Sequence, residues 1–410
     1  MTRMKDSGIE WIGEVPEEWG IVRLKDCLEI NNGKDYKDIE TDETGYPVIG
    51  SGGQFAYARK YLHDGTAILL GRKGTIDKPL YIEGKFWTVD TMFYGVPKSG
   101  IHAKFIYYVA LQIPFGLYST NTALPSMTQT DLQNHHFVMP PLDEQTQIAD
   151  FLDKKVAQLN KAKNLLEEQI KTLEDYRQSL IYETVTKGLD KTVPLKDSGV
   201  DWIGQIPEGW GVSRMKYLTT KIGSGKTPLG GAEVFQTEGI LFIRSQNVFD
   251  GRLVLEEKST YIDLQTHNSM ISTEVMEQDI LFNITGASIG RVSIYNFVQK
   301  ANVNQHVAII RGSERVRPTY LMYYLMSCIG KFQVALNQVG GNREGLTFEQ
   351  LKQFIIAFPT REEQTEIADF LDKKTEQINQ MIAIKKEQIE NINKQRQTLI
   401  YDYVTGKRRV

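Results

Sequence analysis

Between residues 140 and 188, leucine returns at every seventh position: Leu152, Leu159, Leu166, Leu173 and Leu180. Ala149, Val156 and Ile170 fill most of the companion positions. Steps of three and four residues keep these side chains on one helical face, and strict heptad spacing predicts a coiled-coil stripe. A second stretch near the C-terminus places Leu371, Ile378, Ile392 and Leu399 in the same register, with Ile382 and Ile389 beside them. Neither proline nor glycine interrupts either run, so two long helices are expected. About 44 residues at ~1.5 Å each make a rod of roughly 65 Å. The seams are broken by Lys163 in one stretch and Lys385 in the other, where the matching position of the opposite stretch is Ile382 or Leu166. Mutual pairing is therefore expected, antiparallel if a two-fold axis relates the halves. Ordinary bundle helices, each packed on its own domain, are the alternative. Thr360 and Glu363 have capping-box spacing, Pro141 suits a first turn, and Gly188 and Gly406 sit where left-handed C-caps are wanted.

Elsewhere the pattern is of short apolar runs broken by polar turns. GYPVIGSGGQF, TAILLGRKGTI and KFWTVDTMFYGV in one region, and GILFIRSQNV, DILFNITGASIGRVSIY and ANVNQHVAIIRG in another, read as strands. Helices are expected at Lys104–Gln112 and Thr319–Ser327, followed by TxxxL turns at Thr128–Leu132 and Thr347–Leu351. The two regions align loosely: Gly45–Ser51 with Gly239–Ser245, and Ile68–Lys78 with Ile280–Arg291 across one gap. One fold used twice is the economical account.

Repetition elsewhere is strong. Residues 5–25 match 196–216 at 13 of 21 positions, and residues 140–188 match 359–407 at 24 of 49 without a gap. Each half is thus a short shared opening, a divergent middle and a long shared helix. The openings, with Trp11, Ile12 and Trp19 around Pro16, and Trp202, Ile203 and Trp210 around Pro207, read as clips that dock structurally. The fold class expected is α+β: two mixed α/β domains joined by two long helices forming an antiparallel coiled coil, with an internal pseudo-two-fold repeat. The segments are residues 1–139, 140–190, 191–358 and 359–410.

The chain has 410 residues, 41% hydrophobic and 24% charged, which excludes wholesale disorder and fits several cores. MTRMKDSGIEW carries no apolar leader pattern, and the greasiest stretch, Tyr320–Ile329, is about half a membrane span. Cys27 and Cys328 lack metal or disulfide spacing and are expected to be buried small hydrophobes in a reducing, cytoplasmic setting. The net charge of −3 gives no broad cationic face. Residues 20–139 hold 12 basic and 12 acidic residues, and residues 216–358 hold 14 and 12, so neither middle should hold phosphates strongly alone.

Polar residues follow the strand ends in both middles, and arginine, asparagine and glutamine are the types that pair with base edges. The DNA-binding candidates are Ser51, Gln54, Arg72, Lys73, Thr75, Lys78 and Thr91 in the first middle, with Thr88 and Asp90 nearby. In the second they are Arg244, Gln246, Asn247, Ser288, Arg291, Asn304 and Gln305, with Ser245, Asn283, Thr285, Asn302 and His306 nearby. Taken singly, each also suits a turn or a solvated surface. GSGKT at residues 223–227 mimics a phosphate-binding loop, but Thr220 stands where glycine is needed, and Pro228, Gly230 and Gly231 oppose the following helix. Ser224, Lys226 and Thr227 are kept as backbone-phosphate candidates. Six histidines show no ligand spacing, so no metal is assigned. Hydrolase, kinase, methyltransferase, helicase and nuclease motifs are not found, and no catalytic residue or bound cofactor is expected.

The openings KDSGxxWIGxxPExW, the helix starts EQTxIADFLDKK, the helix ends QxLIYxxVT, and the middle segments GILFIRSQNV and NITGASIGRV together resemble the specificity subunits of type I restriction-modification systems. The likeness spans essentially the whole chain. It implies two target-recognition domains, each reading one half of a split double-stranded DNA site, with the helices as spacer. It implies two docked modification subunits that carry S-adenosylmethionine and methylate adenine, and a restriction and motor subunit that joins them for cleavage. A coiled-coil scaffold without DNA binding is the alternative.

Overall fold

The computed structural model describes residues 3–42, 44–118, 125–255, 259–338 and 345–410. Its packing gives two compact units, one of residues 1–167 with 385–410 and the other of residues 168–384. The division falls inside both long helices, Leu142–Lys187 and Arg361–Val404, because each half-helix packs on the clip and domain of its own unit.

In the first unit, strands Leu28–Asn32, Met92–Pro97, Ala67–Gly71 and Leu80–Ile82 form an antiparallel sheet in that order. A second sheet pairs Tyr46–Gly50 in parallel with Lys85–Thr88, flanked by Gly53–Ala58, Glu40–Thr41 and His63–Asp64. The second unit repeats the plan. Thr219–Ser224, Val307–Gly312, Ile280–Asn283 and Val292–Ile294 form its antiparallel sheet, and Ile240–Ile243 runs parallel to Ala301–Val303 in the other. The unbroken apolar runs follow from this layering. Ile68 and Leu70 face the larger, helix-bearing core while Leu69 and Ala67 face the smaller one. Ile280 and Phe282 are divided from Leu281 in the same way. A strand buried on both faces loses the polar alternation of a half-exposed one.

Each domain is locked to its long helix by the same side chains. Gln145 is buried and accepts from the His102 amide at 2.9 Å, and its equivalent Gln364 accepts from the Arg317 amide at 2.7 Å. Those amides open the helices Ala103–Ala110 and Pro318–Met326. Asp153 and Asp372 accept from the hydroxyls of Tyr108 and Tyr323, each at 2.7 Å. In the clips, Trp19 and Trp210 are buried and donate their indole N–H to Glu144 and Glu363, both at 3.1 Å. Gly406 and Gly188 adopt left-handed backbone beside these tryptophans, at φ +72° and +67°. A Cβ on Gly406 would lie 2.4 Å from Pro16 Cδ.

The long helices pair antiparallel within each unit. In the first, Phe151 lies 4.6 Å from Tyr403 between ring centroids, and Arg396 donates to Asn160 at 3.3 Å. In the second, Arg177 donates to Asn379 at 2.5 Å, and Ile181 and Val185 share a core with Ile367 and Leu371. Arg177 and Arg396 are repeat equivalents, as are Asn379 and Asn160, so one bond is made twice. Leu152, Leu371, Ile378 and Ile382 are buried, and Leu159, Leu166, Leu173, Leu180, Ile389, Ile392 and Leu399 are half-buried. Leu165, Met381 and Ile384, off the seam, are exposed.

Two local expectations are corrected. Cys328 is exposed, not buried: it opens a helix, Cys328–Asn337, that turns Ile329 and Val334 inward instead. That helix was itself not foreseen, because Phe332 and Leu336 on its outer side blur the apolar stripe. The box at Thr360 is half made: its hydroxyl accepts from the Glu363 amide at 3.3 Å, but the Glu363 carboxylate is taken by Trp210.

Candidate nucleic-acid interface

In the first domain, the loops that leave the strand ends are tied together by main-chain bonds. Arg72 and Lys73 donate their amides to the Thr91 carbonyl at 2.9 and 3.2 Å. Gly33 donates to Met92 at 3.0 Å, Lys34 to Thr88 at 2.9 Å, and Met127 to Arg72 at 3.0 Å. Gly33 is required by this crossing, since a Cβ there would sit 2.0 Å from the Val89 carbonyl oxygen. The Arg72 guanidinium donates to the Asp90 carbonyl at 3.2 Å and lies 5.8 Å from the Phe93 ring centroid, which fixes its direction.

The second domain builds the same cluster from different residues. Gly225 donates to Val307 at 3.1 Å, Lys226 to Val303 at 3.2 Å, Asn304 to Ile243 at 3.0 Å and Ile284 to His306 at 3.0 Å. The GSGKT segment owes its glycine to this contact and not to a nucleotide: a Cβ on Gly225 would lie 1.7 Å from the Val303 carbonyl oxygen. Thr285 Oγ1 and His306 Nδ1 are 2.6 Å apart, and the Gln305 amide is 2.9 Å from His306 Nε2. The Arg244 guanidinium packs 5.8 Å from Phe235, with its Nε buried and without a hydrogen-bond partner. Arg291 lies 4.8 Å from Phe249.

The candidates separate by exposure. Gln54, Lys73, Thr75, Lys78, Lys226, Thr227, Gln246 and Gln305 are exposed. Ser51, Arg72, Thr91, Ser224, Arg244, Ser288 and Arg291 are half-buried. Asn247 is buried instead: its carbonyl oxygen accepts from the Arg244 amide and its nitrogen donates to the Val254 carbonyl, both at 2.9 Å, so the side chain builds a turn. Asn304 is buried likewise and accepts from the His306 amide at 3.3 Å. Thr88, Asn283 and Asn302 are also buried, bonded to Ile49, Ser245 and His267 respectively. Gln54 stands apart from the tied loops, on strand Gly53–Ala58.

Lys34, missed in the sequence, holds the place of Lys226: both follow the crossing glycine and both are exposed. The repeated Gly-Lys pair was the available signal, hidden by unlike flanking residues. Lys34, Arg72, Lys73, Lys78, Lys226, Arg244 and Arg291 form no ion pair with a carboxylate among the described residues. By contrast Arg311 holds the buried Asp279 through two bonds of 2.7 Å, a structural pair inside the second domain. No group of histidine, cysteine and carboxylate side chains suited to a metal occurs among the described residues, nor any helix long and apolar enough to cross a membrane.

The family described as Type I restriction modification DNA specificity domain matches residues 16–172 and again 207–392. The chain belongs to that family. Each match begins in a clip, crosses one loop cluster and ends in a long helix. This specificity-family chain is 25% identical to the type I restriction enzyme MjaVIII specificity subunit of Methanocaldococcus jannaschii, over 97% of this chain and 94% of the relative. It is 25% identical to the EcoBI specificity subunit of Escherichia coli, over 92% and 85%. Its fold is shared with a chain solved in work on complex assembly and conformational transition of the type I R-M system. There the TM-score is 0.71 at 17% identity, covering 95% and 98% of the two chains. The HsdS subunit from Thermoanaerobacter tengcongensis overlaps at a TM-score of 0.50, 17% identity, and 98% and 100% coverage.

Proposed function

We propose that this chain supplies the DNA sequence specificity of a type I restriction-modification assembly and performs none of its chemistry. Each target-recognition domain reads one half of a split duplex site with the loops around Arg72 and Arg244. The observation that carries this reading is the pairing of two repeated frames, matched at 13 of 21 and 24 of 49 positions, with two unlike clusters of uncompensated basic and amide side chains. Repeated frames suit two copies of one partner, here a modification subunit that binds S-adenosylmethionine and methylates adenine. Unlike clusters suit two different half-sites. Because each domain is nearly charge-balanced, the partner subunits contribute much of the phosphate contact, and tight binding belongs to the assembly.

Each correctly read base pair is worth ~1–3 kcal/mol, so one half-site alone is weakly selective, and joining two makes the second encounter intramolecular. The test is methylation mapping in cells carrying this chain with its modification partner. A split recognition sequence is expected, and uniform or absent methylation would overturn the reading. In the assembly, Arg72→Ala should weaken binding to the mapped site about tenfold or more while changing binding to random DNA much less, and Arg244→Ala should do the same for the other half-site.

A further inference from the structure

We propose that Leu229 is a wedge that enters the base stack of the half-site read by the second domain and parts one base step. The inference rests on the DNA reading above and adds a mechanical component to it. Leu229 is 95% exposed, the most exposed large hydrophobic side chain among the described residues. Its presentation is built. The Gly231 amide donates to the Pro228 carbonyl at 2.9 Å, closing a four-residue turn. Gly230 occupies the second corner at φ +98° and ψ −8°, the left-handed geometry of a type II turn, which puts Leu229 at the apex. Pro228 is buried and stiffens the entry. Two glycines after the leucine keep the apex narrow: a Cβ on Gly231 would meet nothing within 4 Å, while one on Gly230 would lie 2.8 Å from Val234 Cγ1.

Both ends of the segment are fixed in the loop cluster. Gly225 and Lys226 are held against the Val307 and Val303 carbonyls, as described. At the other end the Phe235 ring lies tilted 5.4 Å from Phe242 and 5.8 Å from the Arg244 guanidinium, and the Gln236 amide donates to the Tyr261 carbonyl at 2.9 Å. The apex is therefore carried by the loops that bear Lys226, Thr227 and Arg244. The Lys226 ammonium is held by the Ser272 hydroxyl at 3.2 Å and by no carboxylate among the described residues, so it is available to a phosphate. A cation three residues before an exposed aliphatic turn apex suits the parting of a base step, in which charge anchors the backbone while an apolar group replaces stacking. A single apex residue offers far less area than the ~800 Å² per side typical of a protein partner.

The experiment uses the full assembly with its modification subunits and duplexes carrying 2-aminopurine in turn at each position of the mapped half-site. One step is expected to brighten several-fold on binding. The rise should vanish in Leu229→Ala and Leu229→Ser and persist in Leu229→Met, with affinity for the specific site falling about tenfold in the alanine variant. A base extruded by the methyltransferase brightens independently and should do so in every variant, which serves as the internal control. Specific binding with no Leu229-dependent brightening overturns the wedge and leaves the DNA reading intact. Loss of subunit assembly in Leu229→Ala, seen by sedimentation, would make the residue a protein contact and overturn the proposal. An assembly that prefers no DNA sequence would overturn both readings.

Discussion

Gly225 and Gly223 are two residues apart in the same strand-end segment, yet they answer to different constraints. Gly223 has nothing within 4 Å of where a Cβ would go, whereas Gly225 has the Val303 carbonyl at 1.7 Å. Gly225→Ala is expected to cost about 3 kcal/mol or more of the second unit's stability in thermal denaturation, and Gly223→Ala to change it by less than about 1 kcal/mol. His135 is one residue through which pH should act. It is buried, stacks on Trp11 with centroids 5.7 Å apart, and places Nδ1 2.8 Å from the Tyr118 hydroxyl. Burial, aided by neighbouring His136, pushes its pKa down to about 4. The unfolded chain takes up a proton near pH 6.5 that the folded one refuses, so stability is lost as pH falls from about 6.5 to about 4. The slope is up to about 1.4 kcal/mol per pH unit. His135→Gln should flatten that slope in denaturation followed across this window, and an unchanged slope would assign it to other groups.

At the scale of elements, the clip and the helix start form one joint. Trp210 donates to Glu363, whose carboxyl burial raises above its usual range and which the indole N–H partly restores. Trp210→Phe removes that donor while keeping most of the apolar contact, and should cost about 1–2 kcal/mol. The joint predicts non-additivity: Trp210→Phe combined with Glu363→Ala should cost about 1 kcal/mol less than the two singles added. The sequence pointed to capping by Glu363 because Thr-x-x-Glu spacing favours it. The tertiary fold supplies a better partner for the same carboxylate, a tryptophan 153 residues earlier.

For the whole molecule, the long helices are expected to set the unspecified gap between half-sites. Adding one heptad at matching points of both helices keeps the seam in register and lengthens each by about 10 Å. The gap found by methylation mapping should grow by about three base pairs while both half-sites stay the same. Growth of the gap without change of the half-sites would separate measuring from reading, and an unchanged gap would deny the helices this role.

The duplicated frame, the heptad seam, the clips and the divergent middles were legible in the residues alone, because periodicity and repetition are properties of the chain. The family was legible as well, since long ungapped blocks in a fixed order carry it. The candidate surface was legible only in outline. Asn247, Asn304 and Thr91 look alike to a reader of polar loop residues, but burial of a side chain depends on strands that lie far off in sequence. Asn247 is spent on the Arg244 turn, Lys34 matches Lys226 only once both glycines are seen crossing a neighbouring carbonyl, and Cys328 faces water because the helix it opens packs its other side. Those choices belong to tertiary packing, where a side chain's partners are decided by which segments meet and not by its own neighbours along the chain.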